Sequence, residues 1–524
     1  MTKRGWGYSL RKNLAKKLYP KGMWDAHSEQ ATMNTYLDFS LYDIAHSQAI
    51  HRAFQDTLEI RNITWFIPDF HHAYYGGIYT ILRFAAHLKT AHNVENQFAL
   101  VSSQSEQLIA DKIYTAFHDL NGSKVQQIRT YDDLDKLSST DVGIATLWNT
   151  AYYLLRFNRT KRKFYFLQDY EALFYPAGTI HAQVEATYRF GFYGIANTPS
   201  IKQFYEDQYE GSADFFYPCV DIDVFQPSEP QHAEKSIPYK VFFYGRPEHP
   251  RNGFELGIAG LKQLKAKLGD DVSILSAGDD WDPVDFGLRG IVENLGLLDY
   301  EQTAELYRTC DAALVLMFTR HPSYLPLELM ASGCLVVTNY NPATTWLLED
   351  GVNCILTAPS PTCIAGALHH ALTQPELHQT ITTNAVNTIH ESYQDWHEKI
   401  DEIYRLMCAP KTSISTIDEE LTLYPIKDSD TVDLNTITTE DNKARSISTT
   451  PNEICYLLTR ARRVVQQGGW RGLISEAFRY FRWRLDDFNG RTLWSIAGII
   501  SLSVTLVFLN LIKIKDYQQE SNSR

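Results

Sequence analysis

Between Arg61 and Cys408 short apolar runs alternate with stretches, such as Ile78 to Lys89, whose apolar residues recur at helical spacing. NITWFIPDF (62–70), QFALVSS (97–103), KVQQIRTY (124–131), DVGIATLW (141–148), KFYFLQDY (163–170) and GFYGIANTP (191–199) read as strands. After a polar stretch at Pro227–Ile237 the pattern restarts: YKVFFYGRP (239–247), DVSILSAG (271–278), GIVENLGLL (290–298), DAALVLMF (311–318), CLVVTNY (334–340) and NCILTA (353–358). These runs are almost continuously apolar, so the strands are expected to be covered on both faces, as in parallel sheets. The fold class is therefore α/β, with two Rossmann-like doubly wound domains in tandem, 61–227 and 238–408, behind a lead-in at 1–60. Ligands are expected at the C-terminal ends of the strands and in the cleft between the domains.

The chain ends read differently. Thr2–Gly22 holds Lys3, Arg4, Arg11, Lys12, Lys16, Lys17 and Lys21, no acid, and interspersed Trp6, Tyr8, Leu10, Leu14 and Leu18. It reads as an amphipathic segment for an anionic membrane surface or as a solvated basic tail. Residues 411–451 turn to Thr, Ser, Asp and Glu and cannot support a packed core, so they are read as a disordered linker. In 452–492 arginines interleave with Trp470, Phe478, Tyr480, Phe481 and Trp483, the pattern of an interfacial helix. Leu493–Ile512 runs 20 residues without a charge, long enough for one transmembrane helix. The arginines before it, against Lys513 and Lys515 directly after it and Arg524 at the end, are expected to place the bulk of the protein on the cytoplasmic face of the cell membrane. A buried helix of a soluble domain is the alternative, since Ser495, Ser501, Ser503 and Thr505 lie within the run.

A net charge of −13 argues against general nucleic-acid binding, which needs excess Lys and Arg on the contact face. Seven cysteines, odd in number and without a CxxC pair, indicate neither a disulfide framework nor a zinc ribbon.

Four features fall where the cleft is expected. Arg246 and Arg251 follow a strand and precede a helix beginning near Gly253, where guanidinium groups and helix N–H groups suit a diphosphate; surface salt bridges are the alternative. Glu328 falls in the first turn of a helix opened by Pro326, where a carboxylate can cap the helix or accept hydrogen bonds from a ribose diol. Gly76-Gly77 opens a helix after the first strand and permits close backbone approach of a donor or acceptor. Asp169 and Glu171, after the fifth strand, can deprotonate or orient an acceptor hydroxyl, stabilise an oxocarbenium-like centre, or cap a turn. His71 and His72 are further polar candidates beside the first strand. A DxD pattern at Asp280 and Asp282 recurs at Asp133/Asp135, Asp221/Asp223 and Asp428/Asp430, so it does not single out a metal site.

GRPEHPRNGFEL (245–256), HPSYLPLELMASGCLVVTN (321–339) and WLLEDGVNCIL (346–356) resemble the nucleotide-sugar-binding half of GT-B glycosyltransferases. FYFLQDYEALFYPAG (164–178) and IPDFHHAYYGGIYTILR (67–83) extend the resemblance into the first half. The likeness covers about residues 60–408 and is strongest to the retaining family 4 group, in particular rhamnosyltransferases of bacterial cell-surface polysaccharide synthesis. It implies that Arg246 and Arg251 hold the donor diphosphate, that Glu328 holds the nucleotide ribose, and that the Gly76-Gly77 loop faces the diphosphate. The family usually carries a second glutamate eight positions before the ribose ligand. Here that position is Arg320, so His321, Ser323 and Tyr324 are expected to meet the sugar or phosphates. The class uses no metal, so none is expected, and no cofactor beyond a nucleoside-diphosphate sugar as co-substrate.

The expected function is transfer of a sugar, rhamnose by resemblance, to a cell-surface glycan or lipid-linked acceptor. The alternative, motivated by Arg320, is a non-catalytic GT-B scaffold binding glycan or partner proteins at the membrane.

Overall fold

The computed structural model describes residues 37–74, 76–102, 104–228 and 237–410. The basic N-terminal segment, the 411–451 linker, the interfacial segment and the expected membrane span at 493–512 lie outside the described residues. Among the described residues no helix is long and apolar enough to cross a membrane.

The first sheet is fully parallel, in the order β3-β2-β1-β4-β5-β6-β7. Its strands are β1 (Asn62–Pro68), β2 (Glu95–Val101), β3 (Lys124–Ile128), β4 (Thr140–Ala145), β5 (Thr160–Leu167), β6 (Tyr193–Ala196) and β7 (Ala213–Phe215). The second is β10-β9-β8-β11-β12-β13, again parallel, built from β8 (Tyr239–Tyr244), β9 (Val272–Ala277), β10 (Glu293–Asn294), β11 (Ala312–Val315), β12 (Leu335–Asn339) and β13 (Ile355–Thr357). Each order reverses about its first strand, the arrangement that opens a crevice at the strand C-termini. Every residue of β4, β6, β11 and β12 is buried, as expected for strands covered on both faces.

The helices are α1 (Leu41–Ala53), α2 (Gly76–His92), α3 (Glu106–Ala116), α4 (Trp148–Arg156), α5 (Thr179–Thr187), α6 (Pro199–Tyr209), α7 (Phe254–Leu268), α8 (Tyr300–Thr309), α9 (Leu325–Ala331), α10 (Pro361–Thr373), α11 (Pro375–Ser392) and α12 (Trp396–Cys408). Local chemistry starts several of them. Ser40 and Asp43 form a reciprocal capping box at α1, Asp299 and Gln302 do the same at α8, and Thr198 caps α6 ahead of Pro199.

The stretch expected as one second domain, 238–408, ends in a helix that packs in the first. Trp396, Ile400, Ile403 and Met407 form one apolar stripe of α12 and lie in the core beneath β1, β2 and α2. Arg162 of β5 fixes the end of that helix. Its buried guanidinium donates to the carbonyls of Met407 and Cys408 at 2.7 Å and to those of Phe54 and Asp56, so one cation satisfies the C-terminal carbonyls of α1 and α12 together.

Candidate active site

The loops after β1, β5, β8 and β11 supply the site, and their contacts cross from one domain to the other. After β8 the chain runs through a short 3-10 turn, Pro250–Asn252, and Gly253, in left-handed backbone, starts α7. That turn brings Arg246 and Arg251 onto the two nitrogens of one imidazole. Arg246 Nη2 meets His249 Nε2, and Arg251 Nη1 lies 3.5 Å from His249 Nδ1. Burial and the two guanidinium charges hold His249 down to about 4, so it is neutral at physiological pH. A neutral imidazole has one lone pair, so it can accept from only one of the two arginines. Arg246 Nε is buried without a partner, and burial and the neighbouring Arg246 charge lower Arg251. Two clustered cations with unmatched donors and, among the described residues, no carboxylate in direct ion-pair contact are the electrostatic outline of an anion site. Arg251 also stacks on Phe174 of the first domain at 4.3 Å.

Pro326 stands at the second rather than the first position of α9, and Glu328 one turn in. Its carboxylate is not seen to cap the helix: the Tyr324 N-cap makes no side-chain capping bond, and the Glu328 amide donates to the Tyr324 carbonyl. Burial and the nearby Asp221 raise Glu328 to about 8 against the opposing Arg83 charge, so at neutral pH it is largely protonated and can both donate and accept.

Tyr324 joins the domains. Its hydroxyl accepts from Thr80 at 2.7 Å and from Asn197 at 3.5 Å, and its ring lies against Gly76. A methyl group on Gly76 would come within 2.9 Å of Tyr324 Cδ2, and one on Gly77 within 3.2 Å of Gln168 Oε1. The paired glycines thus admit a tyrosine and a glutamine. Ser323 adopts φ +69°, a conformation that sets its amide on His321 Nδ1 at 3.0 Å. His321 therefore accepts at Nδ1 and carries its proton on Nε2, which is buried and unpartnered; burial lowers it to about 3, so it is neutral. Gln168 Oε1 and Asn197 Oδ1 are likewise buried without partners. Such orphaned polar atoms on adjoining loops mark where a polar ligand would complete the hydrogen bonding.

Asp169 and Glu171, two residues apart, have different environments. Glu171 Oε2 accepts from the Trp148 amide at 2.7 Å, the first N–H of α4, and from the Tyr165 hydroxyl at 3.5 Å. It is a buried cap of α4, pushed up to about 8 by burial. Asp169 Oδ1 accepts from the Tyr170 amide at 2.7 Å and, across the cleft, from the Arg320 amide at 3.1 Å. Burial raises Asp169 to about 6 against the Thr319 hydroxyl, those N–H groups and the Arg251 charge. Both amides use Oδ1. Arg320 turns its guanidinium onto Phe204 of α6 at 3.8 Å. His71 and His72 sit exposed after β1.

Sequence reading passed over His249, Thr80, Asn197 and Arg83. Arg83 of α2 pairs bidentately with Asp221 at 2.5 Å, and Tyr300 of α8 donates to the same carboxylate at 2.7 Å, tying the domains behind the cleft. Of these, only His249 carried a local signal, its place between two arginines in RPEHPR.

Residues 239–369 match the family model described as WsaF, C-terminal domain. The O-antigen biosynthesis protein RfbC of Myxococcus xanthus is 42% identical over 348 residues, 66% of this chain and 27% of RfbC, so the chain spans about a quarter of that relative. Among solved structures, HepE of Anabaena in complex with UDP and glucose aligns with a TM-score of 0.53 at 16% identity, over 67% of this chain and 100% of that one. Sucrose-phosphate synthase of Thermosynechococcus elongatus aligns at 0.52 and 12% identity, over 66% and 98%. The two parallel-sheet domains have the fold of GT-B glycosyltransferases.

Proposed function

We propose that this chain, a GT-B glycosyltransferase by fold and by sequence relationship, transfers a hexosyl group from a nucleoside-diphosphate sugar to a cell-surface glycan or lipid-linked acceptor, with rhamnose as the sugar and retention at the anomeric carbon. The observation that carries the reading is the pair Arg246 and Arg251, gathered on His249, with no carboxylate in direct ion-pair contact with either among the described residues and Asp169 the carboxyl whose charge reaches Arg251. A diphosphate there supplies the missing negative charge, and its leaving-group charge is met by the same guanidiniums as the glycosidic bond breaks. Glu328, protonated in the free protein, donates to one ribose hydroxyl and accepts from the other. The His321 Nε2–H donor faces the sugar or phosphates from its buried position. Asp169, raised to about 6, is the group suited to take or place the acceptor hydroxyl's proton, while Glu171 holds α4 in position. The UDP of HepE and the O-antigen role of RfbC support this donor and acceptor class. The basic N-terminal segment and the 493–512 run would hold the enzyme on the cytoplasmic face of a membrane, raising its effective concentration near a lipid-linked acceptor.

The test is calorimetric titration of the full chain with a panel of nucleoside diphosphates and their sugars, followed by assay of donor turnover. Binding of a nucleoside diphosphate with turnover of one sugar is expected. Binding without turnover or slow donor hydrolysis would favour a glycan-binding scaffold, and no binding at all would overturn the site.

A further inference from the structure

We propose that His87, His92 and Asp401 form a divalent-cation site, best suited to Zn2+, that ties α12 to the far end of α2. His87 Nε2 and His92 Nε2 lie 2.7 and 2.8 Å from the same Asp401 oxygen, Oδ1, and the three ligand atoms all fall within 4.8 Å of one another. In tetrahedral zinc sites with bonds of about 2.0–2.2 Å the ligand atoms stand ~3.3 Å apart, so entry of an ion needs only small side-chain adjustments. Two imidazole nitrogens and one carboxylate oxygen suit borderline cations; Mg2+ and Ca2+ favour oxygen donors.

The rings are also held for the purpose. His397 stacks on His87 at 4.7 Å and 21°, and Tyr404 stacks on His92 at 3.9 Å and 23°, both from the helix that supplies Asp401. Stacked in this way, His397 orients its neighbour instead of ligating, which leaves water for the fourth position. Asp401 is partly exposed and His92 a quarter exposed, so an ion can enter from solvent. On binding, each imidazole takes the Nδ1–H tautomer and presents the Nε2 lone pair; the hydrogen bonds to Asp401 are replaced by metal bonds.

The position gives the site its consequence. α2 opens at Gly76 in the cleft and ends at His92, about 24 Å away at helical rise. α12 completes the core under the first sheet yet is joined to it through the second domain. A cation bridging the two helices locks that return crossing. The proposal is independent of sugar transfer.

The test uses the full chain stripped with chelator and dialysed against Zn2+. One equivalent is expected to be retained, with a rise in melting temperature of several degrees that Mg2+ does not reproduce. Co2+ in place of Zn2+ should give the visible absorption of a four-coordinate ion. Asp401→Asn and His92→Gln should each lose the bound equivalent and the thermal shift while retaining nucleotide binding, which also reports that each variant is folded. Zinc retention unchanged in both variants, or none retained by the parent chain, would overturn the site.

Discussion

Replacing Arg251 by alanine separates an anion-binding role from a structural one, because the two predict opposite balances of binding and stability. In the free protein Arg251 is half of a cation pair without a direct ion pair among the described residues: burial and Arg246 disfavour its charge more than Asp169 favours it, and its contact with His249 is a long 3.5 Å. Deleting it forfeits a stack on Phe174 at 4.3 Å, worth about 0.5–1 kcal/mol, and the attraction to Asp169, but relieves repulsion from Arg246 and a desolvated charge. These terms oppose one another, so the melting temperature should move by no more than a few degrees. Nucleotide binding has no such compensation. Loss of a charge-assisted hydrogen bond to phosphate costs about 1.5–3 kcal/mol, roughly 10- to 150-fold in Kd at 25 °C. Arg251→Lys should recover only part of this, since an ammonium lacks the planar fork. The assay is calorimetric titration with the tightest-binding nucleoside diphosphate, paired with thermal unfolding of the same preparations. An unchanged Kd, or a collapse of stability large enough to account for lost binding, refutes the reasoning.

Glu328→Gln should flatten part of the pH dependence of stability. With its folded value raised to about 8, Glu328 keeps a proton that the unfolded chain releases above about 4.5, so its contribution is present at low pH and lost as pH rises toward 8. The difference in slope, at most about 1.4 kcal/mol per pH unit, is read from melting curves of both proteins across that window. Glu171→Gln keeps an acceptor for the Trp148 amide and should leave stability and turnover near the parent, whereas Glu171→Ala should cost about 1–3 kcal/mol; turnover abolished in a stable glutamine variant would instead make it a reacting group. Gly76→Ala places a methyl group 2.9 Å from Tyr324 and should cost about 1–3 kcal/mol or displace Tyr324 from Thr80, with weakened donor binding; the double variant with Tyr324→Ala should recover the stability difference between the glycine and alanine backgrounds.

Legibility of the fold followed burial. Strands such as β4 and β12 are apolar along their length because both faces are covered, so they stand out without any periodicity. β7 is three residues long at the sheet edge and its ADF carries too little signal to separate it from a loop. The Ser40/Asp43 box that starts α1 was present in the sequence, but the apolar residues behind it are sparse. The destination of α12 was not readable at all. Its stripe of Trp396, Ile400, Ile403 and Met407 predicts an amphipathic helix, and nothing local says that the complementary surface belongs to the first sheet.

The site shows the same divide between chemistry that is local and chemistry that is assembled. Arg246 and Arg251 could be singled out because their charges and the following helix start lie within one short stretch. Arg320 could not be understood that way, since its partners, Asp169 and Phe204, are more than a hundred residues earlier and in the other domain. Where the sequence lacks a glutamate eight residues before Glu328, the fold spends the position on closing the domains: the amide of Arg320 is taken by Asp169 and its guanidinium by an aromatic face. A carboxyl nevertheless stands beside that position, 3.1 Å from the Arg320 amide, supplied across the cleft by Asp169 in the loop after β5. Because that carboxyl belongs to the opposite domain, any motion that parts the domains would also remove it from the neighbourhood of His321 and the arginine pair.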